Sequence, residues 1–285
     1  MAQPVPPDVP ATPAPARPAA TALLVRDGRE GLEVFMVQRH RRSGFLPNAW
    51  VFPGGRVDDT DRLQGHPRVG GRLALTGLSE GGATAYGVAA VRETFEEAGL
   101  WVGDGEPPEA LRGPLARGEL GMRDLLDAHD AGVALDRLHP WSWWITPVVE
   151  PKRFDTRFLV AMAPAADGRH DGGETVDSRW VRPREVLATC DLRTFPLAPP
   201  TWWTLRELAA YDDAKAAFDA ARTGPAVPIQ PVMQFLERGI DLLLPGHPDH
   251  GAPAIEGVPD RITHDAGRWV AWQGEERLPA VPPPA

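Results

Sequence analysis

Three glutamates on one face of a helix are the residues of this chain best placed to do chemistry. The segment R-E-T-F-E-E-A-G-L spans residues 92–100. At about 100° per residue, Glu93, Glu96 and Glu97 fall within an arc of about 100°. That arc lies opposite a stripe of Val88, Val91 and Phe95, so the stripe is expected to sit on a sheet while the carboxylates point outward. A solvated helix face is the ordinary reading of such charges, and two costs count against it. Like charges three and four residues apart repel by about 0.2–0.5 kcal/mol per pair, and within the helix only Arg92 offsets this. The glutamates also occupy the last turns, where the helix dipole disfavours anions. A bound hard cation, Mg²⁺ or Mn²⁺, removes both costs and brings substrate phosphate oxygens with it.

The elements that position this trio follow from periodicity. Thr84, Val88, Val91, Phe95 and Ala98 recur at 4-3-4-3 spacing, which predicts a helix over 84–98 with Gly99 as its cap. Ala20 opens a short apolar strand, and Leu32 opens its hairpin partner. Residues 141–150 and 153–164 read as two further strands, and 175–183 as another that leads into a helix with Pro183 at its start. A short helix is expected near 120–129, and 201–222 carries one long helical pattern. Residues 62–83 are glycine-rich without sustained periodicity and read as a long loop, either a lid or a tolerated surface insertion. Residues 1–19 read as a disordered Pro/Ala-rich tail, and 211–285 as a helical and Pro-rich extension with strand-like pieces such as R-W-V-A-W. Strands interleaved with helices indicate an α/β chain.

Composition narrows the function. The formal net charge of −9 argues against broad nucleic-acid binding. No apolar run is long enough to span a membrane and no secretory leader is evident, so a cytoplasmic setting is expected. Cys190 is the only cysteine, which leaves no intrachain disulfide. Basic side chains are 28 Arg and two Lys; the guanidinium binds phosphate bidentately, although GC-rich coding accounts for most of the skew. Arg39, Arg41 and Arg42 precede V-F-P-G-G and are candidate phosphate ligands, with surface solubility as the bland alternative. Arg153, Phe154 and Arg157 form a cation and aromatic mix suited to a nucleotide base and phosphate, or else a charged sheet edge. Trp143 reads as core. Nothing in the sequence argues for or against a homodimer.

Taken together, Gly55, Asp61, Arg92, Glu93, Glu96, Glu97, Gly99 and Leu100 resemble the Nudix box, Gly-x5-Glu-x7-Arg-Glu-apolar-x-Glu-Glu-x-Gly-apolar. The chain departs from that pattern in three ways. Asp61 stands in for the first Glu, 30 residues separate it from Arg92 where the pattern has seven, and Thr94 fills an apolar position. The long interruption, R-H-R-R-S-G-F-L-P-N-A-W before V-F-P-G-G, W-I-T-P-V-V-E-P-K-R-F-D-T-R-F-L at 144–159 and E-T-V-D-S-R-W-V-R-P at 174–183 resemble the peroxisomal coenzyme A diphosphatase-like branch.

The resemblance covers residues 20–210. It implies a Nudix α/β/α sandwich with a central mixed sheet and a diphosphatase acting on a small nucleotide-diphosphate substrate. Coenzyme A or acyl-CoA is the first expectation; ADP-ribose, NAD(H), a sugar nucleotide, or a non-catalytic binding module are the alternatives. It further implies that Glu93, Glu96 and Glu97 hold Mg²⁺ or Mn²⁺, with Gly54 and Asp61 as further metal-site candidates. Arg92 would orient the carboxylates, and Glu174 or a helix glutamate would take the proton from water.

Overall fold

Apolar and branched runs become strands wherever a turn residue lets the chain fold back. In the computed structural model, which describes residues 12–44, 46–221, 226–236 and 239–283, Ala16–Gly28 (β1) and Gly31–Arg39 (β2) form an antiparallel hairpin. Gly31 turns it with φ 115°, a value an L side chain rarely adopts. Trp50–Val51 (β3) pairs with β2 and Gly54–Arg56 (β4) with β1. After Val69–Gly70 (β5) comes the long helix Glu80–Ala98 (α1), capped by Ser79, whose Oγ accepts from Gly82 N–H. Gly99 ends α1 at φ 67°, as its place in the pattern predicts.

Gly103–Gly105 (β6), Arg112–Ala116 (α2), Met122–Ala128 (α3) and Ala131–Ala134 (β7) follow, β5, β7 and β6 forming a small sheet. His139–Ile145 (β8), Arg153–Met162 (β9) and Thr175–Val181 (β10) complete most of the main sheet, whose order is β10-β2-β1-β9-β8. β1 and β9 run parallel and β8 and β9 antiparallel, so the sheet is mixed. Pro183–Thr189 (α4), Pro199–Leu208 (α5) and Ala214–Ala220 (α6) lie on the face opposite α1. Pro228–Ile229 (β11) adds a parallel edge strand beside β8.

Strand alternation divides two cores between the faces. Ala20, Ala22 and Leu24 of β1 pack with Val88, Val91 and Phe95 of α1, and Leu23 and Val25 pack with Trp203, Leu205 and Leu208 of α5. The arrangement is the expected α/β/α sandwich.

Four local expectations change. Residues 16–19 are strand rather than tail, because they pair in parallel with Arg153–Thr156; residues 1–11 lie outside those described. Residues 62–83 are not a free loop. Leu63, Leu73 and Leu75 are buried in the α1 core, β5 pairs with β7, and 80–83 are the first turn of α1. The pattern over 201–222 is two helices, because Asp213 caps a new start by accepting from Ala216 N–H, while Asp27 accepts from Ala214 N–H.

Among the described residues beyond α6, the regular structure of the 211–285 extension is sheet rather than helix. Val232–Leu236 (β12), Gly239–Leu243 (β13), Arg261–Asp265 (β14), Arg268–Gln273 (β15) and Glu276–Arg277 (β16) form an antiparallel five-stranded layer. Its Leu242, Leu244, Ile262 and Ala271 join the core under α5.

One ionisable group sits inside that second core. Glu207 of α5 accepts from Trp141 Nε1 at 2.9 Å and from Trp203 Nε1 at 3.0 Å. Burial outweighs these bonds and pushes its carboxyl up to about 7 from the usual 4.5. Between those values the unfolded chain binds fewer protons than the folded one, so stability falls as pH rises from about 4.5 through 7. In saturating Mg²⁺, the Tm of Glu207→Gln should fall less steeply over that window than that of the unaltered chain. Parallel slopes would remove Glu207 as a contributor.

Candidate active site

α1 brings the glutamates together, but not in the setting that its wheel suggests. Thr94, Glu96 and Glu97 are all buried, because α1 packs on β1 and β4 of the main sheet and also contacts α2 and the 59–61 turn. The face that the sequence reading directs outward is therefore largely covered by protein. Thr94 is tolerated at its unusual position because its hydroxyl donates to Ala90 O at 2.6 Å.

Arg92 organises the site. Its Nε and Nη2 donate to the two oxygens of Asp61 at 2.8 and 3.0 Å, and Nη2 also reaches Arg56 O at 2.8 Å. Nη1 donates to Glu93 at 2.8 Å and lies 3.3 Å from Glu96. Burial alone would ease its proton off; the Asp61 bonds and surrounding carboxylates overcome this and hold the charge more firmly. Asp61 is fully buried, and its second oxygen also accepts from Asp58 N–H, so both oxygens are engaged in protein bonds. That geometry makes it the partner of Arg92, in the place where the sequence left a metal contact open.

The glycines matter by absence of bulk. A Cβ on Gly54 would stand 2.4 Å from Ala20 O, and one on Gly55 would stand 2.4 Å from the Glu93 carboxylate. Gly54 N–H donates to Glu97 at 3.0 Å. Burial raises the Glu97 carboxyl well above its usual range, the Glu93 charge raises it further, and Gly54 N–H and Arg39 only partly oppose them. Burial likewise pushes Glu96 up to about 7 and raises Glu93. Among the described residues, no three acidic or histidine side chains already close around one point, since Glu93 and Glu96 turn to Arg92 and Glu97 to Gly54. The donor set nonetheless fits a hard divalent ion: carboxylate oxygens, mutually repelling, short of positive charge.

Glu174 comes to the same place from another element. Its backbone carbonyl accepts from His40 N–H, its side chain is exposed, and its charge acts on both Glu93 and Glu97. Arg39 acts on Glu97 and also binds Ser43 Oγ, whereas Arg41 and Arg42 are exposed.

The β9 candidates divide. Arg153 donates to Thr146 O and Ala14 O, tying the chain start to the sheet, and Phe154 is half-buried beside it. Arg157 is buried, with its Cζ 3.3 Å from the Trp143 ring centroid, and it donates to Thr76 O. Trp143 is thus half-buried stacking surface rather than core, and Tyr86 on the other side of Arg157 escaped the sequence reading. Both share Arg157's side of the sheet, which strand alternation alone does not reveal for a helix residue.

Two substitutions test this architecture. Asp61→Asn leaves Arg92 short of charge and should cost about 3 kcal/mol in urea unfolding. Gly54→Ala meets backbone and should lower Tm, whereas Gly55→Ala meets only the movable end of Glu93 and should leave Tm nearly unchanged. Equal Tm losses in the two glycine variants would contradict the contacts described.

Comparison with known proteins agrees with this geometry. The human acyl-coenzyme A diphosphatase NUDT19 is 30% identical over 231 residues, covering 64% of this chain and 62% of that protein. This chain thus spans about three fifths of the human protein's length. The Gallus gallus protein of the same name is 29% identical over 82% of this chain and 78% of its own. The crystal structure of a NUDIX hydrolase from Alicyclobacillus acidocaldarius superposes with TM-score 0.65 at 28% identity, covering 74% of this chain and 99% of that one. The profile of the NUDIX domain matches residues 15–199, and with most of its length inside that match this chain belongs to the NUDIX domain family.

Proposed function

We propose that this chain is a divalent-metal-dependent diphosphatase that cleaves the phosphoanhydride bond of coenzyme A or an acyl-CoA. The observation that carries the reading is the Glu93, Glu96 and Glu97 cluster held by Arg92 and Gly54 N–H. The relatives named acyl-coenzyme A diphosphatase supply the substrate class. Within this reading, Glu93, Glu96 and Glu97 hold Mg²⁺ or Mn²⁺, with Gly54 placing Glu97. The ion, when bound, neutralises phosphoryl oxygens and acidifies a water.

The protein's own groups do the rest. Arg92, fixed by Asp61, sets the rotamers of Glu93 and Glu96. Glu174, exposed beside them, takes the proton of the attacking water. Arg39 adds positive charge where the anhydride lies. The products are 3′,5′-ADP and a 4′-phosphopantetheine compound.

Turnover of coenzyme A, acetyl-CoA, ADP-ribose and NADH in Mg²⁺ or Mn²⁺ tests this directly. The coenzyme A compounds should be cleaved to 3′,5′-ADP; selective cleavage of ADP-ribose would reject the substrate class. Glu97→Gln should fold and lose about 10²–10³-fold in kcat. Metal at about 100 times its Kd stabilises by about 2.7 kcal/mol, so the unaltered chain should gain about 5–10 °C in Tm. Glu97→Gln should lose that gain, and a full gain would remove Glu97 from the metal site.

A further inference from the structure

At the other end of α1 from the glutamates, the box insertion encloses a groove of about 700 Å³. Its lining is mixed, with Leu73, Leu75, Leu78 and Leu138 on the apolar part and Arg72 and Glu80 on the charged part. The mechanism described above uses none of these residues. The insertion is firmly seated there. His66 is buried and bonds Asp127 of α3 at 3.0 Å, and Leu73 and Leu75 are core residues.

Two measures relate the groove to the glutamates. Along α1, Glu93 lies ten to thirteen residues beyond Ala83 and Glu80, which line the groove, so the separation is about 15–20 Å. Across the sheet, Gly55 pairs with Ala20, Ala20 with Arg157 and Arg157 with Trp143. Arg157 therefore stands two strand spacings, about 10 Å, from the position where Glu93 crowds Gly55. It also donates to the carbonyl of Thr76, a groove residue, at 3.0 Å. Its side chain is 3% exposed and its Nε forms an ion pair with Asp155 at 3.6 Å, yet among the described residues its Nη1 has no hydrogen-bond partner. Buried guanidinium donors without acceptors are costly unless a ligand completes them.

We infer that this groove seats the acyl end of the substrate, with its arm passing Arg157 on the way from the glutamates. The inference rests on the coenzyme A reading and deepens it. The arm from phosphate to thiol has about twelve chain bonds, the length of four extended residues, or about 14 Å. A diphosphate at the glutamates thus delivers its thioester to the groove mouth. The arm's amide carbonyls are acceptors for the unpartnered Nη1 of Arg157, and an acyl chain beyond the thioester meets the leucines of the groove.

The test is an acyl-length series, free coenzyme A and C2 to C8 thioesters, with the full chain in Mg²⁺. Each methylene that enters the groove adds up to about fourfold to kcat/KM. Ala74 is exposed and lines the groove, so Ala74→Trp fills it without disturbing the core, and Ala74→Asp puts a charge there. Read as the ratio of C8 to free coenzyme A on each protein, the unaltered chain should exceed ten. Both variants should bring the ratio near one, mainly through KM. The same ratio in variant and unaltered chain, or no length dependence at all, overturns the groove assignment while leaving the diphosphatase reading intact. Absence of any coenzyme A cleavage, with ADP-ribose hydrolysed, overturns both.

Discussion

The buried pairing of Arg92 with Asp61 is the constraint on which the rest of the site depends. Arg92 is a cation in an interior, and Asp61 meets it with two near-parallel bonds at 2.8 and 3.0 Å. The guanidinium is then fixed in orientation, and its remaining Nη1 reaches Glu93 and Glu96. This pairing also accounts for the long interruption. Lengthening a loop from seven to 30 residues costs only about 1.3 kcal/mol in closure entropy. A bidentate buried ion pair offsets that, provided the loop returns Asp61 to the same point. The 3₁₀ turn Asp59–Asp61 brings the backbone close, so a side chain shorter than Glu still reaches.

The same geometry sets up an imbalance that a metal would resolve. Arg92 is shared among Asp61, Glu93 and Glu96, so little of its charge is left for Glu97. Glu97 has a backbone N–H and the more distant Arg39. Its carboxyl is raised first by burial and then by the Glu93 charge, so the pair is poised to bind protons or a cation. Stability alone would not select two buried carboxylates near a helix C-terminus. The arrangement trades folding free energy for a concentrated negative field.

Much of this was legible because strong patterns are local. The β1–β2 hairpin, α1 and its Gly99 cap, β8 to β10 and the Pro183 helix start each rest on neighbouring residues. So do the box glutamates, whose spacing is within one helix. The errors fall where partners are distant. Residues 16–19 look like tail until β9 is beside them, and Asp213 looks like mid-helix until its capping bond is seen. The C-terminal strands β12 to β16 are two to six residues long, and a proline-rich stretch separates β13 from β14, so no period shows. Asp61 was ambiguous because its role is decided by Arg92, 31 positions away.

The burial of the glutamate face, which the wheel only directs outward from the sheet, explains why the insertion matters. A helix wheel assigns one face to the protein and one to water, and α1 has protein on both. Leu63, Leu73 and Leu75 of the insertion belong to the same core as Val88, Val91 and Phe95. That core continues through α2, which packs against α1, and α3, which packs against the 59–61 turn and β7. The carboxylates are buried where α1 meets β4 and the 59–61 turn, and their raised proton affinities follow from that burial. Deleting 62–83 would therefore not simply shorten a loop. It would strip apolar cover from α1 and loosen the return path of Asp61, returning the glutamates toward water and weakening the field that makes them a cation site.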